Sequence, residues 1–517
     1  MVTDVTIPPE TVTVLIDGQE YKFPKGQNLL EACQQVGAKI PFFCYHPGLS
    51  SPAVCRQCLV EVKGQPKPVP SCYLTVADKM EVTTNSPKVV DVRRQMLEFT
   101  LLNHPIDCPI CDKAGECSLQ KHYFDWNTKP ARNEGIKVRK AKVVDIGKHI
   151  ILDQERCILC SRCIRVCNEV AKSPDLTMAY RGSHEVLTTA PGQRLDNPYS
   201  LNTVDVCPVG ALTSKDFRFS SRAWELQSTP SVCPGCATGC SIEVHATRGK
   251  IVRLVPRHNP KVNQYWMCDE GRFEYKAVHE PRHLLPRVRN ARATVDQAIA
   301  EAARLLQQAE GKVAVVLSAN ATNEDLHAGL RFALETLKSR LVFGAEKPAG
   351  QGDAILRSTD KNANATGLRS IVGDALRPVS ELAKAVSSGE VKGVVVVGDA
   401  DLPAFDISLV ALIAKKGTSL DQAQVILPIR MWAEVHATLT NKQGHVQRLH
   451  ATIEPPGETL PGWSFLSSLA EKLGTPLGFP SAAAVFADAS KRHAFLKDIA
   501  FGEDQAPTTL RFGDSRG

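Results

Sequence analysis

Cysteine is the residue type in this sequence whose number and spacing point to chemistry. The chain has 517 residues and 17 cysteines, and none of the cysteines lies beyond Cys268. In a reducing compartment, clustered cysteines indicate metal binding or catalysis rather than disulfides. The uneven distribution therefore predicts a first half that binds metal and a second half that binds none through sulfur.

The first group of cysteines is spaced C-x10-C-x2-C-x13-C. Three neighbouring cysteines and a distant fourth are typical of a [2Fe–2S] cluster, although the first gap is longer than in plant-type ferredoxins. A structural zinc ion held by four thiolates is the alternative. The predicted ligands are Cys44, Cys55, Cys58 and Cys72.

The second group contains a histidine and is spaced H-x3-C-x2-C-x5-C. We interpret it as a [4Fe–4S] site in which an imidazole replaces one thiolate, with zinc again the alternative. Gly115 would allow the backbone to approach a cluster closely. The predicted ligands are His104, Cys108, Cys111 and Cys117.

The third group is a C-x2-C-x2-C triple followed at a distance by Cys207-Pro208. This arrangement is that of bacterial ferredoxins, and it predicts a [4Fe–4S] cluster. The predicted ligands are Cys157, Cys160, Cys163 and Cys207. Cys167 has no second triple to serve, so we interpret it as a buried thiol.

The fourth group has the spacing C-x2-C-x3-C and is closed by a further cysteine after 27 intervening residues. It also suits a [4Fe–4S] cluster, and glycines inside the loop would let it wrap the cluster. The predicted ligands are Cys233, Cys236, Cys240 and Cys268. Besides Cys167, this leaves Cys33, which we place in a core on the apolar face of a helix.

Composition favours a soluble globular protein of several domains. The net charge is +7, and 23% of the residues are charged. The basic runs are short and lack interleaved aromatic residues, which argues against a nucleic-acid interface. No window has the roughly 18–20 apolar residues of a membrane span, and the first residues lack the features of a signal peptide. We expect membrane association through partners alone.

Periodicity predicts five segments. Residues 11–90 begin with a hairpin turning at Asp17-Gly18 and a helix over 28–36; residues 91–130 begin with a helix over 91–103. A linker over 127–142 precedes residues 143–222 and 226–282, which hold the third and fourth groups. Residues 283–517 alternate between Val-rich strands and helices, including a helix over 295–308 with a capping box at Thr294 and Gln297. This alternation of strands and helices predicts a parallel sheet covered on both faces.

The four ligand groups, in this order, resemble the large iron–sulfur subunit family of respiratory complex I. The motifs that carry the resemblance include Pro41-Phe42-Phe43-Cys44-Tyr45-His46, Cys157-Ile-Leu-Cys-x-Arg-Cys-Ile-Arg and Asp216-Phe-Arg-Phe-x2-Arg-x-Trp-Glu-Leu. The resemblance covers residues 11 to about 280. It implies a β-grasp [2Fe–2S] domain, a one-histidine three-cysteine [4Fe–4S] segment, a ferredoxin-like [4Fe–4S] domain and a [4Fe–4S] domain of molybdopterin-oxidoreductase type.

The resemblance also implies a role and partners. A flavin- and NADH-binding subunit would pass electrons to the Cys44 site, then to the Cys157 site, then to the His104 site and on towards quinone through further iron–sulfur subunits. A [2Fe–2S] partner subunit is also implied. The Cys233 site lies off this path in the family. The implied location is peripheral, on the cytoplasmic side of a bacterial inner membrane, within a proton-translocating complex.

The second half resembles a shortened molybdopterin-oxidoreductase body. Thr440-Asn441-x2-Gly444-x-Val446-Gln447 follows a family motif, from which Gln443 and His445 depart. With no cysteine left to bind molybdenum, we expect no molybdopterin and no catalytic residues. Two other functions stay open: an electron-transfer subunit of a soluble NAD-linked hydrogenase or formate dehydrogenase, and a zinc-stabilised scaffold.

Overall fold

The computed structural model describes residues 10–126, 130–132, 135–505 and 507–510. The chain forms two compact units, Met1–Glu225 with Leu510–Gly517 and Leu226–Thr509, called here the N-terminal and C-terminal units. The predictions made for residues 1–9, for parts of the linker (127–129 and 133–134) and for residues 506 and 511–517 lie outside the described residues.

The N-terminal unit is built from short strands and helices. In chain order they are β1 (Thr11–Ile16), β2 (Gln19–Pro24), α1 (Leu29–Gln35), β3 (Leu59–Val62), β4 (Val69–Pro70), β5 (Met80–Thr83), α2 (Pro87–Leu101), α3 (Ser118–Trp126), β6 (Val144–Asp145), β7 (Ile150–Leu152), α4 (Arg162–Arg165), β8 (Leu176–Ala179), β9 (Val186–Thr189), α5 (Asn202–Val206) and β10 (Leu212–Ser214).

The first five strands form one mixed sheet in the order β2-β1-β5-β3-β4. β1 pairs antiparallel with β2 and parallel with β5, and α1 packs on the sheet, which is the β-grasp arrangement. The predicted hairpin turn is confirmed, since Asp17 and Gly18 both have positive φ, as a tight two-residue turn requires. Cys33 is fully buried in the core between α1 and this sheet, as its helix face predicts.

Helix α2 begins earlier than its apolar pattern indicates. The pattern predicts a start at residue 91, but Ser86 accepts a hydrogen bond from the Val89 amide, and Pro87 occupies the first turn. The serine cap and the proline in the first turn were the signals for this start, and the predicted start missed four residues. The helix ends at Leu101, before His104-Pro105.

Residues 144–214 form two small antiparallel arrangements. β7 lies between β10 and β6, and β8 pairs with β9. α4 continues into a π-helical turn over Val166–Val170, and its contacts include α5. These pieces hold the loop of the third cysteine group and the segment that carries Cys207.

The C-terminal unit is larger and contains both a small and a large sheet. Its elements are β11 (Gln227–Val232), β12 (Ser241–Thr247), β13 (Lys250–Pro256), α6 (Asp269–Arg272), α7 (Lys276–His279), β14 (Arg287–Val288), β15 (Ala291–Arg292), α8 (Val295–Gln308), β16 (Val313–Ser318), α9 (Asn323–Arg331), β17 (Val342–Ala345), α10 (Ala365–Val372), β18 (Leu376–Pro378), α11 (Leu382–Ser387), β19 (Gly393–Val397), β20 (Ser408–Ile413), β21 (Val425–Pro428), β22 (Ala437–Thr440), β23 (Val446–Leu449), α12 (Gly462–Lys472), α13 (Ala482–Arg492) and β24 (Thr508–Thr509).

The large sheet has the strand order β15-β14-β21-β20-β19-β16-β17-β18. The strands from β21 to β18 are parallel, and β14 joins them antiparallel at one side. Alternate residues of β16 enter different cores: Val315 packs with α8, α9 and α12, whereas Val316 packs with α11. The predicted parallel sheet covered on both faces is therefore confirmed, with an antiparallel edge that the pattern did not indicate.

Two helices of this unit show how its helices begin and end. The capping box of α8 is present as predicted, with Thr294 and Gln297 each accepting the other's backbone amide. Helix α9 ends at Arg331, and the chain continues as a π-helical turn to Thr336. None of the helices in the described part of the chain is long and apolar enough to cross a membrane.

Candidate metal centres

The first ligand set is gathered beside the β-grasp core. Cys44 follows the buried Phe43, and Cys72 lies in the 3-10 turn Ser71–Tyr73. The Cys44 thiol forms hydrogen bonds with Cys55 and Cys72, and Cys58 bonds with Cys72. The bond from Cys55, followed by that from Cys72, lowers the pKa of Cys44 to about 2. The structure thus brings all four predicted ligands together.

The third ligand set lines a small cavity. Leu159 and Ser161 have positive φ, so the chain turns sharply at both gaps of the C-x2-C-x2-C triple and aims three thiols inward. Burial raises the pKa of Cys157 to about 12 and that of Cys160 to about 11. The other side chains around the cavity are mostly apolar and include Met178, Leu187, Val209, Ala211 and Leu212.

Cys167 is placed apart from these roles. It is fully buried in the π-helical turn, and its thiol is hydrogen-bonded by Asn197. Burial raises its pKa to about 12. This agrees with its interpretation as a buried thiol.

The second ligand set is the most open of the four. Cys108 is exposed, whereas Cys111 is buried and Cys117 is half-buried at the start of α3. The Cys111 thiol lies close enough to those of Cys108 and Cys117 to interact electrostatically with both. Burial lowers the pKa of His104 to about 4, with Lys137 and Arg156 adding to the effect, so the imidazole is neutral, as a metal ligand must be.

His104 carries an orphaned atom. Its Nδ1 is buried and has no hydrogen-bond partner. Leaving such a group unpaired costs about 1–3 kcal/mol, which a metal bond would offset. The donor set and this unpaired nitrogen both fit a cluster ligated by one histidine.

A later segment wraps the second set. Arg222 donates to the backbone oxygens of Pro109 and Cys111, at 2.6 and 2.8 Å. Gly115 has φ +92°, and a Cβ on it would lie 2.9 Å from the ring of Trp224. The glycine is therefore required for its backbone conformation and for this close contact, in addition to the approach to a cluster that the sequence suggested.

The fourth ligand set lies in the C-terminal unit, in a small cavity of its own. Cys233 follows β11, and its amide donates to the backbone oxygen of Cys240 at 2.9 Å. Cys268 caps α6 by accepting from the Gly271 amide at 3.4 Å. A Cβ on Gly271 would lie 2.9 Å from the Cys233 sulfur, so the backbone approaches the ligand atoms closely.

Two buried arginines of α4 join the first and third sets. Arg165 donates to the backbone oxygens of Cys44 and Ser50 and also lies 3.4 Å from that of Cys160. Arg162 donates to Tyr45 and, at 3.1 Å, to Val206, the neighbours of Cys44 and Cys207. Both guanidinium groups thus lie between the two sets.

The third set also adjoins the second. A Cβ on Gly210, three residues after Cys207, would lie 2.2 Å from the Cys111 sulfur. The Ser118 amide, next to Cys117, donates to the Pro208 oxygen at 2.9 Å. The segment 207–210 therefore forms a wall of both sites.

Sequence reasoning missed the roles of these arginines and of the segment around Arg222. Arg162, Arg165 and Arg222 stand in the motifs that carried the resemblance, yet no task was assigned to them. Charged residues are almost never fully buried without partners. Arginines placed between cysteines that must lie inside the protein were therefore the signal that could have indicated these roles.

At the ends of the parallel strands, the C-terminal unit has a cavity of about 140 Å³. Its walls include Ser318, Asn320, Lys347, Asp399 and Lys415. Burial lowers the pKa of Lys347, and the neighbouring Lys415 adds to this. The cavity is smaller than the roughly 300–1,000 Å³ of sites that enclose drug-sized ligands.

Comparison with known families divides the chain in the same order as the ligand sets. Residues 9–87 match a 2Fe-2S iron–sulfur cluster binding domain, 93–130 the NADH-ubiquinone oxidoreductase-G iron–sulfur binding region, and 147–213 the ferredoxin-like domain of NADH-quinone oxidoreductase subunit 3. Residues 226–280 match the molybdopterin oxidoreductase Fe4S4 domain, and 378–472 match molybdopterin oxidoreductase.

Curated relatives carry names consistent with these domains. The chain is 41% identical to an NADH-quinone oxidoreductase subunit of Streptomyces coelicolor, over 63% of this chain and 40% of the relative. It is 43% identical to the NADH-ubiquinone oxidoreductase 75 kDa subunit of Reclinomonas americana, over 52% and 39%. With the mitochondrial NADH dehydrogenase [ubiquinone] iron-sulfur protein 1 of Solanum tuberosum the identity is 36%, over 65% and 46%. The matched part thus spans less than half the length of these relatives.

Among solved structures, a chain of an NAD+-reducing [NiFe]-hydrogenase in the H2-reduced state is 29% identical. The match covers 41% of this chain and 91% of that one, with a TM-score of 0.38. This overall likeness is too low to bear on the fold.

Proposed function

We propose that this chain, a relative of the NADH-ubiquinone oxidoreductase 75 kDa subunit, is an electron-transfer subunit of a complex I-type enzyme. It would relay electrons from a flavin-bearing partner towards quinone, within a complex that translocates protons. The observation that carries the proposal is the order of the sites in the N-terminal unit. The third ligand set adjoins the first through Arg165 and the second through Gly210.

The ligand assignments belong to the proposal. One [2Fe–2S] cluster would be held by the first set, and three [4Fe–4S] clusters by the other three. Bound clusters supply one-electron storage at each site. The chain's own residues fix the thiols, surround the third set with mostly apolar side chains and place the positive charges of Arg162 and Arg165 between the first and third sets. The relay would run from the first set through the third to the second.

The domain boundaries and surroundings are proposed likewise. We place the domains at 11–90, 91–130, 143–222, 226–282 and 283–517, the last without molybdopterin. The partners would be a flavin- and NADH-binding subunit, a [2Fe–2S] subunit and downstream iron–sulfur subunits. The location would be peripheral, on the cytoplasmic face of a bacterial inner membrane.

Metal analysis and EPR of the full chain, prepared anaerobically, test the ligand sets. We expect about fourteen irons per chain and little zinc. Cys58→Ser, Cys160→Ser and Cys240→Ser should each remove one EPR signal from the reduced protein, while Cys33→Ala, outside all four sets, should leave every signal in place. Stoichiometric zinc without iron would refute the proposal.

Co-purification tests the assignment to a complex. Association with a membrane arm and quinone reductase activity is the expected result. Association with a soluble hydrogenase or formate dehydrogenase would overturn this part of the proposal while leaving the cluster sites intact.

A further inference from the structure

Two histidines face each other at the open end of the β22–β23 hairpin. Ala437 pairs with Leu449 in the antiparallel register, so the next residues outward, His436 and His450, stand opposite each other. Directly opposed residues of an antiparallel pair project to the same face. Their ring centroids are 5.9 Å apart, with the planes at 72°. The hairpin thus presents two imidazoles side by side.

A carboxylate from the C-terminal segment completes the group. An oxygen of Asp504 lies 3.3 Å from His436 Nδ1. One ligand atom from each of His436, His450 and Asp504 lies within 4.8 Å of the other two. None of these residues belongs to the four sets described above. Ligand atoms this close to one another can converge on a single ion.

The state of the histidines also points to a ligand. His436 Nδ1 is buried and makes no hydrogen bond despite its short distance from Asp504. His450 Nδ1 accepts a long hydrogen bond, 3.2 Å, from the Gln505 amide. Metal binding would require His450 to release this bond, because its Nδ1 must then either bind the ion or hold the ring proton. A weak bond makes that exchange inexpensive.

We propose that His436, His450 and Asp504 bind one divalent transition-metal ion, of which Zn²⁺ is the representative. Two imidazoles and one carboxylate are ligands that suit Zn²⁺, and three protein ligands leave a fourth position for water. The Asp504 side chain is 56% exposed, so that position is open to solvent. Mg²⁺ and Ca²⁺ prefer sets of oxygen ligands and are disfavoured by the imidazoles.

Arg448 sets the strength of the site. Its guanidinium donates to Asp504 Oδ1 at 2.5 Å and lies over the ring of Phe501, 3.5 Å from the centroid. This positive charge orients the carboxylate but also repels a cation. Removal of the Arg448 charge is therefore expected to strengthen metal binding. If Asp504 served solely as an ion-pair partner of Arg448, the same change would only loosen the C-terminal segment.

The ion would fasten the C-terminal segment to the hairpin. Shortly after Asp504, β24 pairs with β11, the strand that leads into Cys233. Held by a metal at Asp504, this added strand would be fixed beside the loop of the fourth ligand set. The site therefore acts on the stability of that strand pairing and takes no part in the relay.

Zinc X-ray absorption tests the proposal on the full chain with its clusters already assembled. One equivalent of Zn²⁺ should give a first shell of nitrogen and oxygen without sulfur. His436→Ala and His450→Ala should each weaken binding at least about tenfold. His445→Ala, in the turn of the same hairpin, is the matched control and should bind as the parent does. Arg448→Gln should bind several-fold more tightly.

Several results would overturn the proposal. A sulfur-containing shell means that zinc entered a cysteine set, and unchanged binding in His436→Ala means that the ion lies elsewhere. Absence of zinc binding with all irons retained would also refute it. Because His436 is partly exposed, its substitution tests the site even if His450→Ala does not fold.

Discussion

Arg165 Nη2 lies 2.5 Å from the backbone oxygen of Cys44, although 121 residues separate the two. The guanidinium is buried and also donates to Ser50. A long-range bond of this kind fixes the loop of the first ligand set against the helix that follows Ser161. It also places a full positive charge next to a site that holds negative thiolates.

Arg165→Met should lower the potential of the Cys44 cluster and destabilise the N-terminal unit. Removal of the charge disfavours the reduced, more negative cluster, and the two carbonyls left unpaired cost about 2–6 kcal/mol. An EPR-monitored redox titration measures the potential. Arg165→Lys keeps the charge and should retain most of the potential despite weaker bonding; equal potentials in Arg165→Met and the parent would contradict the assigned role.

His104→Cys should lower the potential of the second cluster by on the order of 100 mV, because a thiolate adds a negative charge where the imidazole is neutral. A redox titration of that cluster's EPR signal is the measurement. His184→Cys, an exposed position in the same unit, controls for the added thiol. If the potential does not move, His104 is not a ligand.

Gly210→Ala should abolish or distort the second cluster selectively. The new Cβ would stand 2.2 Å from the Cys111 sulfur, so that thiol must move away from its ligand position. Iron analysis should show a loss of about four irons per chain. The signals of the Cys44 and Cys233 clusters are internal controls, and their loss together with the second would point to general unfolding instead.

Glu324 should make the C-terminal unit less stable as pH rises. Burial raises the pKa of this carboxyl from 4.5 to about 7 in the folded chain. The folded state then holds a proton that the unfolded state releases between about pH 4.5 and 7. The free energy of unfolding falls through this window, by about 3 kcal/mol at most.

Calorimetry between pH 5.5 and 7.5 measures the effect of Glu324. Glu324→Gln mimics the protonated acid and should flatten the decline in unfolding temperature. Glu310→Gln, at an exposed glutamate, should keep the decline of the parent. A decline that persists unchanged in Glu324→Gln would place its origin in another group.

Local and periodic features of the fold were readable from the sequence. The bounds of α8, the capping box at Thr294 and the turn at Asp17-Gly18 depend on residues close together in the chain. The four cysteine groups were readable for the same reason, since ligand spacing is a local property except for the last ligand of three of the sets.

The contacts between the ligand sets could not be predicted from the sequence in this way. The contact of Gly210 with Cys111 and the bond from Arg165 to Cys44 join segments about a hundred residues apart. No periodicity encodes such pairs, because they arise from the packing of independent loops. The grouping of His436, His450 and Asp504 could not be predicted for the same reason. It depends on the register of a hairpin and on a carboxylate from the C-terminal segment.

The segment 207–210 has a consequence for assembly. Its cysteine faces the third site and its glycine abuts a ligand of the second, so one short stretch is a shared component of two cofactor pockets. The second site needs the segment 207–210 in position to enclose its cluster. Binding of Cys207 to a cluster in the third site would hold this segment in position. The second centre is therefore expected to fill more slowly while the third site is empty.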